Sequence, residues 1–221
     1  HPNSRRQRQM CIRDRPRTAG SYIESLFRKH YDLVYEVDHH STVYDIENRK
    51  DKFIFGFVRN PYSYEWSLWR YSRRSWEVPF TFDEWCAYRF DGKSDEGYDK
   101  YPHLYTTYRE ATFMYVRVQA GYFCDENKKC VASQIYRFEE LKESWNQILQ
   151  KINVNIPINI NDTIYQSLDY QKDYTDYSYD LVTQYKAKDL EIFGYDFDGY
   201  TGDVPLDYSV DYVGTNYAYT H

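Results

Sequence analysis

The sequence predicts an α/β fold, a central parallel sheet flanked by helices. Segment 52–58 (KFIFGFV) carries the strongest strand signal, because after Lys52 it is continuously apolar, as expected of a parallel strand covered on both faces. Pro61 then stands where the first turn of a helix tolerates proline, and the helical segment 62–71 follows. A turn and helix at 16–30 and a strand at 33–37 come earlier, and this alternation indicates an α/β sheet.

The remaining elements follow from local patterns. The helix predicted at 21–30 has Tyr22, Ile23, Leu26 and Phe27 on one face, and no strand signal precedes it. Segment 38–41 is predicted to be a loop and 42–48 a short helix. Thr81 and Glu84 form a capping-box pattern that opens a helix to about Phe90. A loop is predicted at 91–102, followed by extended segments at 113–123 and 131–138 and a helix at 140–152. An irregular segment at 153–173 then precedes a last helix, which begins at Thr175 and ends at Gly194.

One domain is expected, because 221 residues suffice for one core and not comfortably for two. We expect it to cover residues 16–199, followed by an irregular tail at 200–221. Residues 1–15 are basic, lack periodicity and resemble translated sequencing-adapter sequence. They are therefore expected to be non-native or disordered, in place of the true N-terminus and any targeting signal, so the compartment stays open between the Golgi lumen and the cytoplasm.

Charge and composition exclude several classes of protein. Residues 1–80 carry 15 basic and 10 acidic side chains, whereas residues 81–221 carry 13 and 24. General nucleic-acid binding is not expected, since no dense basic stripe exists and the pI is about 5.5. The sequence contains no run of about 18 apolar residues, so it predicts no membrane-spanning segment. The four cysteines do not show the spacing of metal ligands. Cys124 and Cys130 flank a predicted hairpin tip, where they can form a disulfide or remain as two thiols.

Two segments are candidate anion cradles. In the first, Arg17, Thr18, Ala19, Gly20, Ser21 and Tyr22 form a turn of small residues before a helix, whose backbone N–H groups can face a phosphate. In the second, Arg59 ends the apolar strand and Ser67 lies two turns into the next helix. Each has an ordinary alternative: a common Gly-Ser helix start in the first, and in the second an arginine in a salt bridge with a serine facing solvent.

Taken together, PRTAGSY and VRNPYSYEWS resemble the two cofactor-binding segments of sulfotransferases that use 3′-phosphoadenosine 5′-phosphosulfate (PAPS). His40-Ser41-Thr42, YRFEEL at 136–141 and DLEIFGYDF at 189–197 extend the resemblance over residues 16–199. The pattern is most similar to carbohydrate sulfotransferases related to heparan sulfate 2-O-sulfotransferase. It implies a P-loop NTPase-like sulfotransferase fold and a carbohydrate acceptor.

The resemblance also implies residue roles. Residues 18–22 would line the sulfate end of PAPS, while Arg59 and Ser67 would hold its 3′-phosphate. His40 is the candidate base for the acceptor hydroxyl, because imidazole titrates near neutrality; its alternative is to cap the short helix, and His39 is the substitute. The chemistry requires no metal, and the sequence offers no ligand cluster.

The sequence departs from the family pattern at two positions. Arg17 stands where relatives usually have a lysine that stabilises charge on the bridging oxygen, and Tyr64 stands where they often have arginine. Arginine supplies charge as a wide fork that does not donate its proton, so the rate can differ.

Two rival functions remain from the sequence. A nucleotide kinase is disfavoured, because the phosphate loop lacks the Gly-Lys-Ser/Thr ending. The second rival is a catalytically impaired nucleotide- or glycan-binding protein of the same fold, which Arg17 favours. Trp66, Trp69, Tyr71 and Trp76 are expected in the core, with sugar stacking as the alternative.

Overall fold

The protein is a mixed α/β molecule with a small parallel sheet. The computed structural model describes residues 10–13, 23, 25–26, 50, 52–75, 77, 79–90, 118–156 and 169–210. In these ranges the strands are β1 (Met10–Arg13), β2 (Phe53–Val58) and β3 (Gln134–Arg137). The helices are α1 (Pro61–Ser75), α2 (Phe82–Phe90), α3 (Leu141–Ile152), α4 (Asp176–Tyr185) and α5 (Ala187–Phe193), with 3₁₀ turns at Gln119–Phe123, Phe138–Glu140 and Gln171–Asp173.

The strands are all parallel and in the order β1-β2-β3, so β2 is central, as the sequence predicts. The register pairs Arg13 with Gly56 and Val58 with Arg137. Because parallel neighbours point the same way, the carboxyl ends of the three strands lie at one edge of the sheet.

Both faces of β2 are covered, as its apolar run predicts. Phe55 and Phe57 pack with Trp145 of α3 in one core cluster. Val58, on the alternate face, packs with Phe193 of α5 in another. A third cluster joins the aromatic residues of α1 and α2 to α4, and it contains Trp66 and Trp69. These two tryptophans therefore belong to the core; Trp76 lies outside the described residues.

Several predicted elements are present. Thr81 and Glu84 make the reciprocal capping-box bonds, with Glu84 Oε2 accepting the Thr81 N–H at 2.9 Å and Thr81 Oγ1 accepting the Glu84 N–H at 3.3 Å. Thr175 caps α4. Gly194 ends α5 with φ of 62°. Cys124 and Cys130 face each other across a hairpin and carry thiols, with Cys124 Sγ donating to the Ala120 carbonyl at 3.5 Å. The strand at 33–37, the helix at 42–48 and the loop at 91–102 lie outside the described residues.

Strand β1 precedes the first cradle, in a segment where the sequence shows no strand signal, and it pairs with β2. Two local predictions are wrong. Residues 119–123 are a 3₁₀ turn rather than extended, since the Asp189 carboxylate accepts two successive backbone N–H groups there. The last helix is broken between α4 and α5 at Lys186, whose ammonium is drawn into the core towards Glu65.

Candidate functional site

The strand-to-helix turn after β2 is built by Arg59, Asn60 and Pro61. Asn60 caps α1, because its Oδ1 accepts the Tyr62 N–H at 3.0 Å and its carbonyl accepts the Tyr64 N–H at 2.8 Å. Pro61 is the first residue of α1, where its missing N–H costs nothing. Arg59 therefore lies between the carboxyl end of the central strand and the positive end of a helix dipole.

The guanidinium of Arg59 is fixed in place. The residue is 3% exposed. Its Nε and Nη2 donate to Ser63 Oγ at 3.0 and 2.8 Å, and its Cζ lies 4.6 Å from the centroid of the Phe138 ring. The guanidinium end of the side chain is therefore held by a hydroxyl and by an aromatic ring.

Ser67 lies one helical turn beyond Ser63 and is 5% exposed. Side chains four residues apart share a helix face, so Ser63 and Ser67 lie on the same buried face of α1. The alternative of a solvent-facing Ser67 is therefore wrong. Ser63 was missed by the sequence reasoning, although its spacing of four residues from Arg59 was a usable signal.

The YRFEEL and DLEIFGYDF segments meet at this turn. Glu139 Oε1 accepts the Asn60 N–H at 2.8 Å, and Glu139 Oε2 accepts the Tyr195 hydroxyl at 2.9 Å. The Asn60 amide donates to the carbonyls of Asp196 at 2.8 Å and Gly199 at 3.2 Å. Burial, reinforced by the Glu139 charge, raises the pKa of Tyr195, so its hydroxyl remains a donor. The two segments thus support the turn that carries Arg59.

A second buried arginine lies at the same edge of the sheet. Arg137 ends β3, pairs with Val58 and is 2% exposed. Its Cζ lies 4.7 Å from the ring centroid of Tyr195 and 4.3 Å from that of Tyr200, and its Nη2 donates to the Gly202 carbonyl at 3.1 Å. Two buried cations thus lie at the carboxyl ends of neighbouring strands, with the Glu139 carboxylate beside them.

Of the predicted site residues, Arg59 and Ser67 lie within the described ranges, and both are buried: Arg59 directly after β2 and Ser67 on α1. Arg17, Thr18, Ala19, Gly20, Ser21, Tyr22 and His40 lie outside the described residues. Helical geometry at Ile23, Ser25 and Leu26 agrees with the helix predicted after the first cradle. At the second departure from the family pattern, Tyr64 is buried and the Lys186 ammonium lies 5.7 Å from the centroid of its ring.

Comparisons with protein-family models, with curated proteins and with solved structures find no match to this chain.

The described ranges contain no group of three or more His, Cys, Asp or Glu side chains that could hold a metal ion. Among the helices described, none is long and apolar enough to cross a membrane.

Proposed function

We propose that the protein is a sulfotransferase of the P-loop-like α/β fold that moves a sulfonate group from PAPS to a hydroxyl of a carbohydrate. The observation that carries the proposal is the setting of Arg59: a buried, anchored guanidinium at the carboxyl end of the central parallel strand and at the N-terminus of α1. In open α/β sheets, ligands bind outside the carboxyl ends of the strands.

The donor set suits a phosphate. A guanidinium offers a planar fork to phosphate oxygens. Ser63 and Ser67 add hydroxyl groups on the same helix face, and the first turn of α1 adds its dipole. The 3′-phosphate of the nucleotide is the group we assign to Arg59 and Ser67.

The order of the strands supports a position of the first anion cradle beside the second. The chain leaves β1 at Arg13, three residues before Pro16, and β1 is the parallel neighbour of β2. The cradle sequence PRTAGSY therefore follows the strand next to the one that Arg59 follows, and both strands end at one edge. Arg17 and residues 18–22 are assigned to the 5′-phosphosulfate end.

Bound at these cradles, PAPS would supply an activated sulfonate, whose transfer forms a bond from sulfur to the acceptor oxygen and breaks the bond to the bridging phosphate oxygen. In the proposal His40 accepts the proton of the acceptor hydroxyl. Arg17 offsets the negative charge that the departing nucleotide gains. Arg59 and Ser67 hold the nucleotide both before and after the sulfonate is transferred.

The deciding experiment is calorimetric titration with adenosine 3′,5′-bisphosphate and with adenosine 5′-monophosphate. We expect clearly tighter binding of the bisphosphate. Arg59→Ala should lose roughly ten- to a hundredfold of that affinity, because hydrogen bonds to charged groups contribute about 1.5–3 kcal/mol. Arg74→Ala is the control, since Arg74 is an exposed arginine of α1.

Equal affinity for the two nucleotides in a folded sample contradicts the proposal. The same holds if Arg59→Ala and Arg74→Ala behave alike.

The rival is a binding protein that has lost transfer activity, which the arginine at position 17 favours. A transfer assay with labelled PAPS and a panel of glycans separates the two. We expect His40→Ala to lower turnover by about a hundred- to ten-thousandfold without changing the affinity for the bisphosphate. Selective nucleotide binding without transfer to any acceptor would favour the rival.

A further inference from the structure

We infer that Gln119, held by Asp189, is a positioning residue that aims Arg59 and thereby sets the preference for a 3′-phosphate. The inference rests on the proposed function and adds to it two residues from elements distant in the sequence.

Gln119 holds the backbone of Arg59 from both sides. Its Oε1 accepts the Arg59 N–H at 2.9 Å, and its Nε2 donates to the Arg59 carbonyl at 2.7 Å. Gln119 is 3% exposed and Arg59 is 3% exposed, so water does not compete readily for these bonds. One side-chain amide thus replaces the ladder bonds that a neighbouring strand would give, just where β2 ends.

Asp189 in turn fixes Gln119. The Asp189 Oδ2 accepts the Gln119 N–H at 2.7 Å, and its Oδ1 accepts the Ala120 N–H at 2.9 Å. Asp189 is fully buried, and bonds from N–H groups to a carboxylate are among the stronger hydrogen bonds. The 3₁₀ turn that carries Gln119 is therefore anchored to α5.

Fixing both peptide groups of Arg59 fixes its backbone dihedral angles and hence the direction of its Cα–Cβ bond. Ser63 and Phe138 then hold the far end of the side chain. An arginine with both ends held loses little conformational entropy when an anion binds, so its contribution to affinity is larger. The expected effect is selective: a ligand without a 3′-phosphate gains nothing from it.

The test compares Gln119→Met, which has similar length and no hydrogen-bonding groups, with Gln147→Met, an exposed glutamine of α3. The readouts are the affinities for adenosine 3′,5′-bisphosphate and adenosine 5′-monophosphate, and hydrogen exchange of the Arg59 amide. We expect Gln119→Met to lower the ratio of the two affinities by about tenfold, as the loss of a hydrogen bond or two implies. Binding of the monophosphate should stay constant, exchange of the Arg59 amide should accelerate, and Gln147→Met should match the wild type.

Asp189→Asn provides the second variant, for the case in which Gln119→Met does not fold. It keeps one acceptor oxygen and places an amide against the other N–H, so a smaller loss of the same ratio is expected. A wild type that prefers the bisphosphate, with variants that keep the full ratio, overturns the positioning role alone. A wild type without that preference overturns the proposed function and the inference together, whatever the exchange rate of the Arg59 amide.

Discussion

At the end of β2, the hydroxyl of Ser63 is one of the groups that hold the Arg59 guanidinium in place. Ser63 Oγ accepts two N–H groups from the guanidinium. Ser72 lies on the same helix and is also fully buried, yet its hydroxyl has no hydrogen-bond partner among the described residues. The two serines therefore offer a comparison in which the substitution is identical and only the bonding differs.

We predict that Ser63→Ala lowers the free energy of unfolding by about 1–3 kcal/mol, because it leaves buried charged donors without their acceptor. Ser72→Ala is expected to leave that free energy unchanged or to raise it, since it removes a polar group that pays for burial without a bond. Urea denaturation measures both. Equal losses in the two variants would show that the bonds to Arg59 contribute nothing to stability.

Some residues of the candidate site could be predicted from the sequence and others could not. The position of Arg59 was predictable, because the apolar strand that it follows and the proline that begins the next helix are both visible in the sequence. Gln119 and Glu139 were not, since each acts through a partner 60 or more positions away. A side chain that bonds to a distant backbone leaves no periodic signal in its own neighbourhood.

Among the elements, a buried charge cluster joins α1, α2 and the junction of α4 with α5. Glu65 on α1 is paired with Arg89 Nε at 2.7 Å and with Lys186 Nζ at 3.2 Å, and all three side chains are at most 1% exposed. Burial lowers the pKa of Lys186, and the Glu65 charge opposes that shift. The cluster fixes how α1, and with it Ser63, sits against its neighbours.

We predict that Glu65→Gln destabilises the protein by about 3–5 kcal/mol, because removal of one partner leaves buried charges uncompensated. Glu191→Gln is the control. Its pair with Lys188 is exposed, and exposed pairs contribute little. Denaturant unfolding followed by circular dichroism distinguishes them. A loss in Glu65→Gln no larger than that in the control would contradict a structural role for the cluster.

This cluster also explains which element boundaries the sequence predicted. The start of α2 at Phe82 and of α4 at Asp176 follows from capping residues next to them. The break at Lys186 does not, because it depends on Glu65, which lies far away in the sequence. Strand β1 likewise owes its existence to its neighbour β2 rather than to its own pattern.

Across the whole molecule, tyrosine supplies much of the buried surface; the chain has 27 of them. Burial raises the pKa of Tyr136 to about 12 and that of Tyr174 well above its usual value. The folded state therefore holds these protons more tightly than the unfolded chain does. The stability that results is complete below about pH 10 and is lost as the pH rises through about 12.

We accordingly predict alkaline unfolding in that window, with the tyrosinate absorbance and the loss of far-ultraviolet circular dichroism rising together. In Tyr136→Phe the free energy of unfolding should fall less steeply with pH in that window, by the contribution of one proton. Its stability at neutral pH should be unchanged or higher, because the Tyr136 hydroxyl has no hydrogen-bond partner among the described residues. A wild type and a variant with the same slope would refute the assignment of this phenol.

The position of β2 at the centre of the sheet also affects how the chain reaches its native state. Its neighbours come from far along the chain: Ile54 bonds to Ser133, 79 residues away, and β1 is separated from it by a long crossover. Strand pairings of this kind form late in folding, because the entropy cost of closing a large loop comes before the strand contacts that offset it. During synthesis the segment FIFGFV emerges well before β3 exists and remains an uncovered, uncharged strand of high β-propensity. Refolding at high protein concentration should therefore lose material to aggregation, and a chaperone that shields this segment should recover it.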